Sequence, residues 1–152
     1  MERYNAIIAT GRVKKRQYSG SVDAAFVATN FSYTPTNDLA FPNSSNTITY
    51  LDNTMCPVLI LGQTIAHDGY STHYQSGSIT SLNYSNTFNG VLFTNLILTN
   101  YSSSGGDSGG PAFIPSTVYG GRVAGIHKGS TPDGKVVVNA DYIESAFNYV
   151  RY

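Results

Sequence analysis

Short apolar stretches, separated by runs of Gly, Ser, Asn and Pro, recur along most of the chain. Many of the apolar residues are β-branched or aromatic, which favours strands, whereas Gly, Asn and Ser favour the turns between them. The pattern predicts strands at Ala6–Ala9, Val13–Tyr18, Ala24–Val27, Val58–Gly62, Ser71–Gln75, Ser78–Leu82, Val91–Thr99, Ala112–Ile114, Arg122–Ile126 and Val136–Val138. The sequence therefore predicts an all-β domain.

Two segments depart from this pattern. Residues 30 to 57 are polar and rich in Asn, Thr and Pro, so we expect a connecting segment there. Residues 141 to 150 carry apolar side chains at helical spacing, which predicts a short amphipathic helix with Asp141 as its candidate N-cap. Turns are predicted at Gly11, at Ser19 to Ser21 and at Ser76-Gly77.

The charge balance excludes some classes of partner. Nine basic and nine acidic side chains leave the 152-residue chain without net charge, which speaks against nucleic acid or an anionic membrane as partner. The cluster Arg12, Lys14, Lys15 and Arg16 is interpreted as a solvated strand face. The single cysteine, Cys56, excludes an internal disulfide and is interpreted as a small buried residue. No apolar run predicts a membrane span or a signal peptide.

The run from Gly105 to Pro111 is the most specific feature of the sequence. A small nucleophile, Ser108, stands between glycines that allow a sharp turn, and it follows an acid, Asp107. Acyl transfer needs such a hydroxyl together with backbone N–H groups aimed at the developing oxyanion. The Gly-x-Ser-x-Gly elbow of α/β-hydrolases fits the same letters, but it requires a helix directly after the serine, and Pro111 opposes one.

This run strongly resembles the active-site serine loop of chymotrypsin-like serine proteases. The resemblance implies a double β-barrel in which Ser108 attacks the scissile carbonyl and the amides of Gly106 and Ser108 form the oxyanion hole, with Asp107 holding the loop. The segment around Asp23 resembles the strand that carries the catalytic aspartate in bacterial members, although a turn aspartate is common before a strand. The substrate is then a polypeptide, no metal or cofactor is required, and bacterial relatives are generally exported.

The strand after the serine loop resembles that of the glutamyl endopeptidases, which bind an acidic side chain at the cleavage site. The matching residues are His127 and Ser103, with Lys128 and Gly129 next to the histidine. A carboxylate in a half-buried pocket needs donors and positive charge, which these side chains supply. The position at the base of the pocket matches Ser102 rather than an acid, which disfavours trypsin-like cleavage after Arg or Lys.

The family's general base has no counterpart before Asp23, where residues 1 to 22 contain no histidine. All three histidines follow Asp23, and we interpret His67 and His73 as surface or hairpin residues. The order Asp, His, Ser also fits subtilisin, but the context of Ser108 does not. We therefore expect an incomplete first barrel at residues 1 to 40, a crossing at 41 to 57, and the second barrel with the helix at 58 to 152.

An incomplete first barrel has two consequences. The chain is expected to be nearly inactive for lack of the base, and its exposed strand edges favour self-association. The alternative is a non-catalytic domain that uses the pocket to bind peptides or proteins.

Overall fold

The computed structural model describes residues 11–29, 38–40, 48–52, 57–116 and 120–148. These residues form ten strands and one helix. They are β1 (Gly11–Ser19), β2 (Val22–Thr29), β3 (Asp38–Ala40), β4 (Ile48–Asp52), β5 (Thr64–Gly69), β6 (His73–Phe88), β7 (Val91–Thr99), β8 (Pro111–Ser116), β9 (Gly120–Thr131), β10 (Gly134–Asn139) and α1 (Ala140–Phe147). The predicted all-β fold class is confirmed. The helix α1 is too short to cross a membrane.

Six of the strands close into a barrel. Antiparallel pairing runs from β5 through β6, β7, β10, β9 and β8, and β8 pairs back with β5. Successive residues of a strand face opposite sides of the sheet, so β7 and β10 contribute to two separate clusters. Ile97 and Val137 belong to one buried cluster, whereas Leu96 and Val136 belong to the other. The two faces of these strands are thus both covered.

The strands β1 and β2 form a separate hairpin beside β7. The turn predicted at Ser19 to Ser21 is confirmed, and Gly20 has the positive φ of 60° that such a turn requires. The ring of Tyr18 meets Phe93 edge-on at 5.0 Å, and the amide of Thr94 donates to the oxygen of Gly20 at 2.9 Å. These contacts hold the hairpin, and with it Asp23, against the barrel.

Two predicted elements are wrong. Residues 58 to 62 are not a buried strand, because a tight turn joins Ile60 to Gln63 and leaves Ile60 and Leu61 exposed. Ser76 and Gly77 are not a turn, because β6 runs through both. A Cβ on Gly77 would overlap the backbone of Tyr101, so the glycine allows a close approach within a strand rather than a reversal.

The helix and the connecting segment also differ from expectation. The N-cap of α1 is Asn139, whose side chain accepts a hydrogen bond from the amide of Asp141 at 2.9 Å, so Asp141 lies in the first turn. The strands β3 and β4 lie in or beside the segment expected to be a connection, and β1 begins at Gly11 where a turn was predicted. The predictions for Ala6–Ala9, Cys56 and Val150 lie outside the described residues. The basic cluster on β1 is exposed, as predicted.

Candidate active site

The loop from Gly105 to Gly110 presents the hydroxyl of Ser108 at the surface. Gly106 and Gly109 have φ angles of 102° and 93°, which residues with a Cβ rarely adopt. Hydrogen bonds tie the loop to β9, since the amide of Gly109 donates to the oxygen of His127 at 2.8 Å and the amide of His127 donates to Gly110 at 2.9 Å. The loop is therefore held in one shape by β9.

The side chain of Asp107 holds the other side of this loop. It is fully buried and accepts hydrogen bonds from the amides of Ser71, Thr72 and Ser104 at 2.7, 3.1 and 2.8 Å and from the Thr72 hydroxyl at 2.8 Å. Burial alone would raise the pKa of Asp107, but these donors outweigh it and hold the pKa well below its usual range. A Cβ on Gly69 would overlap the carboxylate, so the β5–β6 turn packs directly on it.

Two amides of the loop are available to a ligand. Within the described ranges, the N–H groups of Gly106 and Ser108 donate to no protein acceptor, whereas the amide of Asp107 donates to the oxygen of Ser104 at 3.2 Å. Two free N–H groups beside an exposed hydroxyl are what an oxyanion hole requires. Asp107, which was expected to hold the loop, contributes its side chain to the loop and no free amide.

Lys128 connects Asp23 to Ser108. Its main-chain oxygen accepts the Ser108 hydroxyl at 3.0 Å, and its ammonium forms an ion pair with the Asp23 carboxylate. The Lys128 side chain is only 5% exposed, and its ammonium lies 3.9 Å from the centroid of the Phe93 ring. Lys128 was expected beside the substrate pocket. The alternation of β9 instead directs its side chain away from His127.

His127 lies on the opposite face of β9, in the interior. It is 1% exposed, and its Nδ1 lies 2.9 Å from the hydroxyl of Tyr101. Burial first, and then the neighbouring His67, lower the pKa of His127 to about 4. The imidazole is thus neutral at pH 7 and can offer an N–H donor but no full positive charge.

The other residues predicted for the pocket lie on β9 and in the segment between β7 and the serine loop. The hydroxyl of Ser103 is 3.3 Å from that of Ser130, three positions beyond His127 on β9. Gly129 lies beside Ser108, because a Cβ at Gly129 would be 3.9 Å from the Ser108 hydroxyl oxygen. The oxygen of Ser102 lies 3.1 Å from Nε2 of His67. The segment before the serine loop and β9 therefore run side by side.

The histidines do not provide a partner for Ser108. His67 is fully buried on β5, so its assignment to the surface is wrong, and its ring stacks on that of Tyr101 at 4.5 Å. Burial lowers the pKa of His67. His73 begins β6 with a φ of 54°. All three histidines of the sequence are described, and none of them hydrogen-bonds to Ser108 or Asp23.

Comparison with known proteins supports the fold. No family model matches the sequence. Serine protease 2 of Streptomyces fradiae is 39% identical over 72 residues, which are 47% of this chain and 41% of that protein. The chain thus spans about two fifths of the length of the curated relative that it matches.

Solved structures match over nearly the whole chain. A glutamic-acid-specific serine protease, described as using a histidine triad in substrate binding, superposes with a TM-score of 0.74 at 24% identity, covering 94% of this chain and 74% of that one. Nocardiopsis protease superposes with a TM-score of 0.76 at 20% identity, covering 95% and 76%. The resemblance read from the serine loop is confirmed, and the chain has the fold of the chymotrypsin-like bacterial serine proteases.

Proposed function

We propose that the protein is a serine endopeptidase in which Ser108 forms the acyl-enzyme. The observation that carries this proposal is the exposed Ser108 hydroxyl beside two unpaired amides, on a loop fixed by Asp107. The Ser108 oxygen attacks the scissile carbonyl carbon as its proton passes to a base, and the amides of Gly106 and Ser108 stabilise the oxyanion. The protonated base then protonates the leaving amine, and water hydrolyses the ester. The substrates are polypeptides, and on resemblance alone we infer export.

The base is the missing part of this proposal. The carbonyl of Lys128, which accepts the Ser108 hydroxyl, is not a base, and none of the three histidines hydrogen-bonds to Ser108. Removing the base of a serine protease lowers turnover by several orders of magnitude. We therefore propose that Ser108 in these 152 residues is acylated slowly. Asp23 would orient a histidine base if an imidazole took the place of the Lys128 ammonium beside it.

We further propose a preference for acidic side chains at the cleavage site. The buried imidazole of His127 and the hydroxyl of Ser103 are the donors available for a carboxylate. The glutamic-acid specificity of one structural neighbour supports this choice. Gly129 leaves room next to Ser108 for the substrate backbone. Lys128 is not part of this pocket in our proposal, because its ammonium pairs with Asp23.

One observation favours a second function. Because Lys128 neutralises Asp23 and its carbonyl holds the Ser108 hydroxyl, the site is also suited to binding a peptide without cleaving it. In that case the pocket around His127 would be retained and acylation would be absent.

Acylation by activated esters distinguishes the two functions, because a good leaving group reduces the need for a base. We expect a nitrophenyl ester of a Glu-terminated peptide to acylate the chain faster than matched Gln and Arg esters. Ser108→Ala should abolish acylation, whereas Ser104→Ala, one residue before the loop, should retain it. Hydrolysis that persists in Ser108→Ala would refute the endopeptidase proposal, and equal rates for the three esters would refute the acidic preference.

A further inference from the structure

Three buried rings lie together at the proposed pocket. The proposed function uses only one of them, His127, and assigns no role to the other two. The ring cluster consists of His67, Tyr101 and His127, which are 0%, 2% and 1% exposed. The ring of His67 stacks on Tyr101 with centroids 4.5 Å apart and planes 24° apart, and it lies 5.1 Å from the ring of His127.

The cluster is held in place from two directions. Nε2 of His67 lies 3.1 Å from the oxygen of Ser102, which follows Tyr101 in the chain. The amide of Asn100, which precedes Tyr101, donates to the oxygen of Ser78 at 3.2 Å. The Tyr101 ring therefore has little freedom to move away from Nδ1 of His127, which lies 2.9 Å from the phenol oxygen.

This geometry bears on which nitrogen of His127 carries the proton. Burial raises the pKa of Tyr101, so the phenol keeps its proton and can donate it in a hydrogen bond. A neutral imidazole has one N–H and one acceptor nitrogen. If Tyr101 donates to Nδ1, the proton of His127 must be on Nε2, the nitrogen directed away from Tyr101.

We propose that Tyr101, backed by the stacked ring of His67, is a positioning residue that holds His127 as the Nε2–H tautomer and so makes it a donor for the acidic side chain of a substrate. This inference deepens the proposed acidic preference and rests on it for its consequence in binding. The tautomer itself is a property of the free protein and does not depend on that preference.

The tautomer is measured first, by ¹⁵N–¹H correlation spectra of the free protein labelled in histidine, with His127 assigned from its absence in His127→Gln. We expect an Nε2–H tautomer in the wild-type protein and a mixture of tautomers in Tyr101→Phe. Tyr142→Phe, on the exposed side of α1, is the matched control and should leave the spectrum unchanged. A wild-type Nδ1–H tautomer overturns the proposal without any variant, and an unchanged spectrum in a folded Tyr101→Phe also overturns it.

Binding is measured second, by calorimetry with two peptides that differ only in a C-terminal Glu or Gln. We expect the wild-type protein to prefer the Glu peptide and Tyr101→Phe to lose about tenfold of that preference, the usual effect of one charge-assisted hydrogen bond. A preference that is unchanged despite a changed tautomer overturns the link to substrate binding. If the wild-type protein does not discriminate, the acidic preference fails, and the spectra alone still decide the role of Tyr101.

Discussion

The Ser108 hydroxyl donates a hydrogen bond to the main-chain oxygen of Lys128 at 3.0 Å. A carbonyl oxygen cannot take up the proton, so this contact places the hydroxyl beside β9 without activating it. The same residue neutralises Asp23 through its side chain. Ser108 and Asp23, which were predicted to act together in catalysis, therefore both contact Lys128. No local sequence pattern indicated this shared contact.

The ion pair should be asymmetric in its contribution to stability. Lys128 is buried among aromatic rings, whereas Asp23 is a third exposed. Removing the Asp23 charge leaves a buried, unpaired ammonium, which destabilises the fold more than an unpaired, partly exposed carboxylate does. We expect Asp23→Asn to lower the free energy of unfolding by about 3 kcal/mol and Lys128→Met by about 1 kcal/mol or less. Urea denaturation of both variants and of the double variant tests this. The double variant should resemble Lys128→Met, and an equal or smaller loss in Asp23→Asn would contradict the burial of the ammonium.

The carboxylate of Asp107 should be essential to the serine loop. The Asp107 carboxylate accepts hydrogen bonds from three amides and a hydroxyl. Asp107→Asn removes its charge and replaces one acceptor oxygen with an NH₂ group, which faces other donors. We expect the free energy of unfolding to fall by about 3 kcal/mol and acylation of Ser108 to decrease in parallel. Asp141→Asn, on the exposed first turn of α1, is the control and should cost a few tenths of a kcal/mol at most. A variant as stable as the control would show that the loop does not depend on this charge.

The glycine at position 69 should be required by its contact with Asp107. A Cβ there would overlap the carboxylate, whereas a Cβ on Gly105 would meet no atom within 4 Å. We expect Gly69→Ala to lower stability by about 2 kcal/mol and Gly105→Ala to have little effect. Thermal melting of the two variants provides the comparison. Similar melting temperatures would mean that the β5–β6 turn can move away from the loop at little cost.

Stability should fall as the pH decreases from about 6.5 to about 4. The folded pKa of His127 is about 4 and its ordinary value is 6.5, so between these values the unfolded chain binds a proton that the folded chain does not. His127 alone then contributes a loss of about 3 kcal/mol over this range, and the lowered pKa of His67 acts in the same direction. Below this range, protonation of Asp107 should remove further stability, because its folded pKa is held below its ordinary value.

Urea denaturation at a series of pH values measures this dependence. His127→Gln should flatten the slope between pH 6.5 and 4, and His73→Gln, at the start of β6, is the control. A slope that is the same in the wild-type protein and in His127→Gln would contradict the buried, neutral state of His127.

The sequence was informative where the signal is local and misleading where a distant contact decides. The serine loop could be predicted directly, because two of its glycines, Gly106 and Gly109, have positive φ angles. The pairs Ser19-Gly20 and Ser76-Gly77 look alike, yet the first is a turn and the second lies within β6 against Tyr101. The contact of Gly77 with Tyr101 depends on how the barrel closes, so the residues next to Gly77 in the sequence do not indicate it.

The same limit applies to the site. The ion pair joins residues 105 positions apart, and it depends on the packing of the β1–β2 hairpin beside β7. His67 was interpreted as a surface or hairpin residue, and no neighbouring residue reveals that β5 is buried on both faces. The ring cluster was missed for the same reason, since its members come from three separate segments.

The central claim is that Ser108 is a nucleophile facing an oxyanion hole, and the rate of its modification by an uncharged fluorophosphonate tests this most directly. Intact mass and peptide mapping would be recorded for the wild-type chain, Ser108→Ala and Ser104→Ala, with imidazole added at increasing concentration to supply a base. We expect one adduct per chain, on Ser108, formed slowly and accelerated by imidazole, in the wild-type chain and in Ser104→Ala. An absence of adduct on Ser108 at every imidazole concentration, or adducts spread over the exposed serines, would contradict it.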